Sequence, residues 1–392
     1  MTGNGAAVRA GAVRELAGWL LPGDAARDFV GSPAGLWVAL GAVAAGARGR
    51  AAEELRAVLG VAGEEAGPAV AGVAAECART SGVFAGVAVW SRVSVRAAYR
   101  SGLPGVGFGE LGGDARAELD AWVAEVSGGR MDGLPDALDG GADLVLVGVV
   151  ALGAVWREAF DASRTRPAPF TGADGSVTEV PTMHRRVPAW SAWRVGDGDG
   201  HGDGHGVVVE LPCAGERAPR VRFVLGPVGA GPDTVVPLAW ADAVPEPVRG
   251  SVRESARDGG REPVRDGRRG PVGAGGVELA LPRFALRGRI DALAWLESVG
   301  VTAPARPGAD FSGLSPAPLY VSKALQEAVL EVGETGVEAA AVTQVEMTRS
   351  AARPLPVERI AFDRPFGVVV LDADGRLPLF VGWRAGGSPV RP

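Results

Sequence analysis

The sequence predicts a mixed α+β fold, with helices and strands sharing one large domain over residues 1–392. Three observations predict it. Leu36 to Ala44 is apolar on nearly every side, which at helical spacing describes a helix buried all round. Asp143 to Leu152 is a near-continuous apolar run, the pattern of a strand covered on both faces. No fixed-period repeat and no linker divides the chain between such segments.

The elements follow in order. Ala6 to Leu21 carries Arg9, Arg14 and Glu15 through an apolar stretch and reads as an amphipathic helix, not a signal peptide. Ser32-Pro33 opens the buried helix, with serine as N-cap and proline in the first turn, and Gly46 and Gly49 close it. A second helix is predicted from Ala51, with Glu53 and Glu54 in its first turn, where acids suit the helix dipole. Phe84 to Trp90 reads as a strand and Glu118 to Val126 as a helix bearing Trp122. Trp156 follows the buried Asp143–Leu152 strand. Val207–Pro212, Val221–Pro227 and Val277–Phe284 are further strands, and Ile290–Val299 is a helix closed by Gly300. Phe366–Leu371 and Leu377–Trp383 flank Asp372-Ala373-Asp374-Gly375, a hairpin signal. Gly196–Gly206 and Ala241–Gly276 are irregular and read as flexible surface insertions.

Composition narrows the function. With 10 Trp, 11 Phe and 47% apolar residues among 392, the chain can bury a sizeable core. The net charge is −6, and the most basic window, Arg261 to Arg269, is interrupted by acids, so no nucleic-acid partner is expected. No run of 18 apolar residues exists, so no membrane partner is expected either, and a cytoplasmic location is the default, with extracellular release left open. A single lysine, Lys323, and almost no Asn or Ile look like the codon bias of a GC-rich genome. Cys77 and Cys213 are too few for a disulfide framework; they allow one disulfide, and two unpaired buried thiols are the preferred reading.

Catalytic and metal chemistry find little support. The histidines are His184, His201 and His205. The last two share a segment with Asp197, Asp199 and Asp203, but a glycine at every second position leaves nothing to preorganise metal ligands. Gly107-x-Gly109-x-x-Gly112 has dinucleotide-fingerprint spacing without the strand–turn–helix context that gives it meaning. Gly31-Ser32-Pro33-Ala34-Gly35 is no nucleophile elbow, because its serine is off centre. The chain is expected to be no enzyme and to need no metal or cofactor.

One segment stands out. Glu334-Thr-Gly-Val-Glu-Ala-Ala-Ala-Val-Thr343, continuing to Ser350, suits an Ala-rich helix or a strand. Read with period 2, one face holds Val337, Ala339, Ala341, Thr343, Val345 and Met347, small and mostly apolar. The other holds Glu338, Ala340, Val342, Gln344, Glu346 and Thr348. A Pro-containing stretch, Ala351 to Arg359, follows. Strand character thus runs directly into an exposed loop.

These residues resemble a serpin, a member of the serine protease inhibitor family, and the resemblance covers nearly the whole chain. Its motifs run in family order: Gly31-Ser-Pro-Ala-Gly35, Ala51-Ala-Glu-Glu-Leu55, Trp122-Val123, the strand into Trp156, and Pro169-Phe170. Then come Val180-Pro-Thr-Met-His184, Val209-Glu-Leu-Pro212, Leu281-Pro-Arg-Phe284, Ala309-Asp-Phe-Ser-Gly313, Leu319-Tyr-Val-Ser-Lys323, Asp363-Arg-Pro-Phe366 and Leu379-Phe-Val-Gly382. The composition fits a bacterial member.

The resemblance implies three β-sheets, about nine helices and an exposed reactive-centre loop, here about residues 334–360. It implies a monomer that traps serine, sometimes cysteine, proteases as a suicide substrate. The loop is cleaved to an acyl-enzyme and then inserts into the largest sheet. The hinge would be Glu334, Gly336, Val337, Glu338, Ala339, Ala340, Ala341, Val342 and Thr343. Burying the six inward side chains would contribute on the order of 5–10 kcal/mol at ~0.8 per methylene. Counting from Glu334 gives Ser350-Ala351 as the reactive bond, Arg349-Ser350 suits a trypsin-like target better, and Arg353-Pro354 is a third option. In the sheet-opening region the family's two Ser, Asn and His are matched by Ser32, Gly35, Gly148 and Gln326, with Trp156 where the loop first enters. That depleted cluster leaves open a non-inhibitory binding protein, or one that is only a protease substrate. Between Trp90 and Asp114 the chain is short, so a helix usual there is expected to be trimmed.

Overall fold

The structure, a computed structural model, describes residues 2–134, 141–195, 206–240, 269–271, 276–337 and 357–386. Eight α-helices and three β-sheets are present among them. The main sheet runs, in spatial order, Val106–Glu110, Val83–Ser91, Leu144–Leu152, Val321–Val332, Gly336–Val337 and Ala154–Val155, and Phe284–Asp291 also pairs with Val321–Val332. A second sheet of seven strands is built round the C-terminal hairpin Phe366–Leu371 and Pro378–Arg384. The third runs Glu358–Ala361, Val277–Pro282, Val177–Val187 and Arg166–Thr171.

The buried helix forms as its sequence dictates. Ser32 Oγ accepts from the Gly35 N–H at 3.0 Å, Pro33 follows, and Pro33–Gly46 is buried along almost its whole length beneath the main sheet. Leu144–Leu152 is buried at every residue, as a strand with helix on one face and further chain on the other must be. Phe284, Phe362 and Phe366 meet edge to face with Phe223 at the centre of the core, ring centroids 5.2 to 6.4 Å apart.

Several expectations move. The second helix starts at Gly49, not Ala51, so Glu53 and Glu54 lie beyond its first turn. Phe284–Asp291 is a strand separate from Val277–Pro282, and Ile290 belongs to it, because Asp291 caps the helix Ala292–Ser298 by accepting from Leu293 and Ala294. Only a five-residue helix, Ala97–Ser101, stands between Trp90 and Asp114. Gly107 and Gly109 lie in the edge strand Val106–Glu110, where a Cβ on Gly109 would be 2.3 Å from Trp90, so packing explains that glycine. Arg269–Pro271 adds an edge strand to the second sheet, while 196–205 and 241–268 lie outside the described residues. Cys77 and Cys213 are buried and unpaired, and burial pushes both thiols up to about 12. No helix among the described residues is long and apolar enough to cross a membrane.

Candidate functional site

The site is a seam and its mouth. Over most of their length Leu144–Leu152 and Val321–Val332 pair directly with each other, from Leu144 opposite Val321 to Ala151 opposite Val329. Beyond Leu152 the strands diverge, and the short strand Gly336–Val337 sits between them. Val337 pairs with Val332 on one side and Ala154 on the other. The main sheet is therefore closed along the seam and open at one end, where the chain beyond Val332 has turned back into it.

Each residue of that turn is held. The Gly333 N–H donates to Gly336 O at 2.9 Å. The Trp156 N–H donates to Thr335 O at 2.9 Å and its indole Nε1 to Gly333 O at 2.9 Å. The Phe160 N–H donates to Glu334 O at 2.8 Å. Glu334 Oε1 accepts from Thr165 Oγ at 2.9 Å and lies 3.7 Å from Arg283 Nη1. Glycine is required at 336, since a Cβ would fall 2.2 Å from the Ala154 carbonyl oxygen, and backbone cannot yield as a side chain can. Val337 is fully buried.

Beneath the seam the structure brings Ser32, Gly35, Gly148 and Gln326 together. Gln326, fully buried, lies opposite Gly148. Its Oε1 accepts from the Ser32 N–H at 2.7 Å and its Nε2 donates to Ser32 O at 2.8 Å. A Cβ on Gly35 would lie 2.8 Å from Val150 Cγ2 and 3.2 Å from Gln326 Nε2, whereas one on Gly148 would meet nothing closer than 3.8 Å. The amide thus ties Val321–Val332 to the helix below it, and Gly148 offers no side chain to answer from the other strand. Lower down, Ser322 Oγ does span the seam, accepting from the Asp143 N–H at 2.9 Å.

A scan against family models matches residues 16–225 and 267–384 to the serpin (serine protease inhibitor) family. The chain belongs to the serpin family. Serpin-Z1A of Triticum aestivum is 26% identical over 387 residues, covering 92% of this chain and 90% of that protein. Plasminogen activator inhibitor 1 of Sus scrofa is 29% identical over 288 residues, 72% of this chain and 64% of that one. The solved structure of human thyroxine-binding globulin with its ligand superposes with a TM-score of 0.74 at 21% identity, covering 98% of this chain and 100% of that one. The expected serpin fold of three sheets is thereby established.

Within this serpin, Glu334, Gly336 and Val337 of the expected hinge lie at the sheet mouth, with Trp156 against them. Glu338, Ala339, Ala340, Ala341, Val342 and Thr343 lie outside the described residues, as do Arg349, Ser350 and Ala351. Sequence reasoning overlooked Phe160, Thr165, Arg283 and the Ser322–Asp143 link. Arg283 stood inside a quoted motif, Leu281-Pro-Arg-Phe284, without a role. Among the described residues one carboxylate group, Glu76, Asp372 and Asp374, has the spacing of metal ligands. Arg79 and Arg217 already occupy Glu76, and two backbone N–H groups occupy Asp372, so the geometry is that of a satisfied polar cluster.

Proposed function

We propose that this serpin inhibits a serine protease as a suicide substrate, its cleaved loop inserting along the seam between Leu144–Leu152 and Val321–Val332. One observation carries the reading: Val337 is fully buried between Val332 and Ala154 at the open end of that seam. If the strand continues beyond Val337, period-2 alternation would put Ala339, Ala341, Thr343, Val345 and Met347 on the same inward face. None of these is charged, so a strand continuing downward would bury no ion. Insertion exchanges the direct ladder of the seam for two new ones, each bond contributing roughly 0.5–1.5 kcal/mol.

Arg349-Ser350 fits a target whose specificity pocket is acidic, as in trypsin-like proteases. Ser350-Ala351 is the alternative bond. The biased composition supports a bacterial source. A second reading, a serpin that binds a partner without inhibiting, is favoured by Gly35 and Gly148 in the sheet-opening cluster and by the likeness to thyroxine-binding globulin.

The test is incubation with trypsin at equal molarity, followed by denaturing electrophoresis and mass spectrometry. Inhibition gives a covalent band at the summed mass and a released C-terminal peptide starting at Ser350. Cleaved chain alone, with full protease activity retained, supports the second reading.

A further inference from the structure

The third sheet carries a feature the inhibitory reading does not use. A cavity of about 280 Å³ opens on it, lined by residues from four strands and the turn Ala162–Arg164. Arg164 and Arg166 stand on one side, Arg359 on the other, and His184 between them. Thr182 pairs with Arg166, His184 with Ala280, and Glu278 with both Arg186 and Arg359, so period-2 alternation sends these side chains to one face. Ala280, small and opposite His184, leaves the hollow.

The charge of this hollow is out of keeping with the chain. Net charge is −6, yet the side chains of Arg164, Arg166 and Arg359 form no hydrogen bond or ion pair among the described residues. Glu278 is the only carboxylate lining the cavity, and it makes no ion pair with them. Arg185 is turned away, stacked on Phe160 at 5.1 Å and bonded to Glu158. His184 Nε2 is buried without a hydrogen-bond partner among the described residues. Burial, then Arg166, Arg359 and Arg164, hold its imidazole below the ordinary range, with Glu278 opposing. The three guanidinium groups are exposed and reach water, so the unmet group is the buried His184 nitrogen, and one negative, acceptor-rich ligand would meet it and the three cations together.

We propose that this hollow binds a small, multiply charged phosphoryl oxyanion, gripped by Arg164, Arg166 and Arg359, with His184 Nε2–H donating to one of its oxygens. Planar guanidinium forks match phosphate oxygens two at a time, and the cavity has room for a diphosphate. The ligand would bridge Arg359, on the strand that follows the reactive loop, to Arg166 at the far edge of the same sheet. It would thereby fasten the chain on the C-terminal side of the loop.

The test is calorimetric titration of the full chain with inorganic pyrophosphate, ionic strength held constant with sodium chloride. One site per chain is expected, weakened roughly tenfold or more by Arg166→Ala and by Arg359→Ala, less by Arg166→Lys. Arg27→Ala, at an exposed pair with Asp24, should leave affinity unchanged. A parallel titration with ATP separates the sources: tighter binding than pyrophosphate names a nucleotide, weaker binding a free oligophosphate. Proton NMR gives an independent reading on the unaltered chain. Pyrophosphate should move one of three imidazole resonances, the one that His184→Gln removes. No saturable heat with either ligand, equal affinity in both alanine variants, or an unmoved His184 resonance overturns the proposal.

Discussion

Gln326 holds both backbone groups of Ser32, its Oε1 accepting from the N–H at 2.7 Å and its Nε2 donating to the carbonyl at 2.8 Å. A strand residue has thereby locked the start of the helix beneath it, and neither bond crosses to the neighbouring Leu144–Leu152 strand. Gln326→Ala should cost roughly 2–4 kcal/mol, because the buried Ser32 N–H loses its partner and a cavity is left, while the Ser32 carbonyl keeps the Leu36 N–H at 2.9 Å. Ser32→Ala, which removes only the cap, should cost about 1 kcal/mol. Urea unfolding of the three proteins at neutral pH checks the order.

Three glycines of the site should respond differently to one added methyl group. Gly148→Ala has 3.8 Å of clearance and should change stability by less than about 1 kcal/mol. Gly35→Ala presses on Val150 and Gln326 and should cost roughly 1–3 kcal/mol. Gly336→Ala meets backbone at 2.2 Å, so the turn must leave the sheet mouth. Hydrogen exchange reads that displacement, since the Trp156 and Phe160 amides, bonded to Thr335 and Glu334, should exchange faster in Gly336→Ala only.

Val337 is buried before any cut, so the test charge belongs further along the inward face, where Thr343→Arg meets the core only if the strand inserts. A buried unpaired guanidinium opposes insertion by several kcal/mol, enough to let the acyl-enzyme hydrolyse first. The variant should therefore be cleaved by trypsin at the parent's rate while yielding little or no covalent complex. An unchanged yield of complex would remove Thr343 from the inserting face.

Asp372 predicts a pH dependence. Burial raises its carboxyl above the ordinary range, the Leu377 and Arg376 N–H groups pull it back, and Glu76 and Asp374 add to the rise. Well below the ordinary carboxylate pKa both states keep the proton. As pH climbs through the raised native value, the unfolded chain gives up its proton more readily, so stability is lost. Asp372→Asn keeps an oxygen for the two turn N–H groups and removes the charge. Its melting temperature relative to the parent should become more favourable from pH 4 to pH 8. A difference that does not change with pH would contradict this.

How much of this was legible depended on whether the signal was local. Ser32-Pro33 and the run to Leu152 announce themselves because cap chemistry and continuous burial are written in adjacent residues. Val321–Val332 does not, since Val321, Leu325 and Ala328 also fit helical spacing and the strand is buried on both faces for much of its length. Ile290 was drawn into the helix because its apolar character hid Asp291 as the true cap. The contacts on Glu334 from Thr165 and Arg283 join residues far apart in the chain, which no window can show. The basic hollow escaped for the same reason. Its arginines are single residues on separate strands, while the basic window that sequence did flag, Arg261 to Arg269, lies almost wholly outside the described residues.

The central claim is that the seam between Leu144–Leu152 and Val321–Val332 parts to admit the strand beginning at Val337. The most direct measurement is the melting temperature before and after a single cut within residues 344–356. Burial of the inward face and the new ladders predict a rise of more than roughly 10 °C on cleavage, abolished by Thr343→Arg. A cleaved protein that melts at or below the temperature of the intact one would mean the seam stays closed, and would contradict the account.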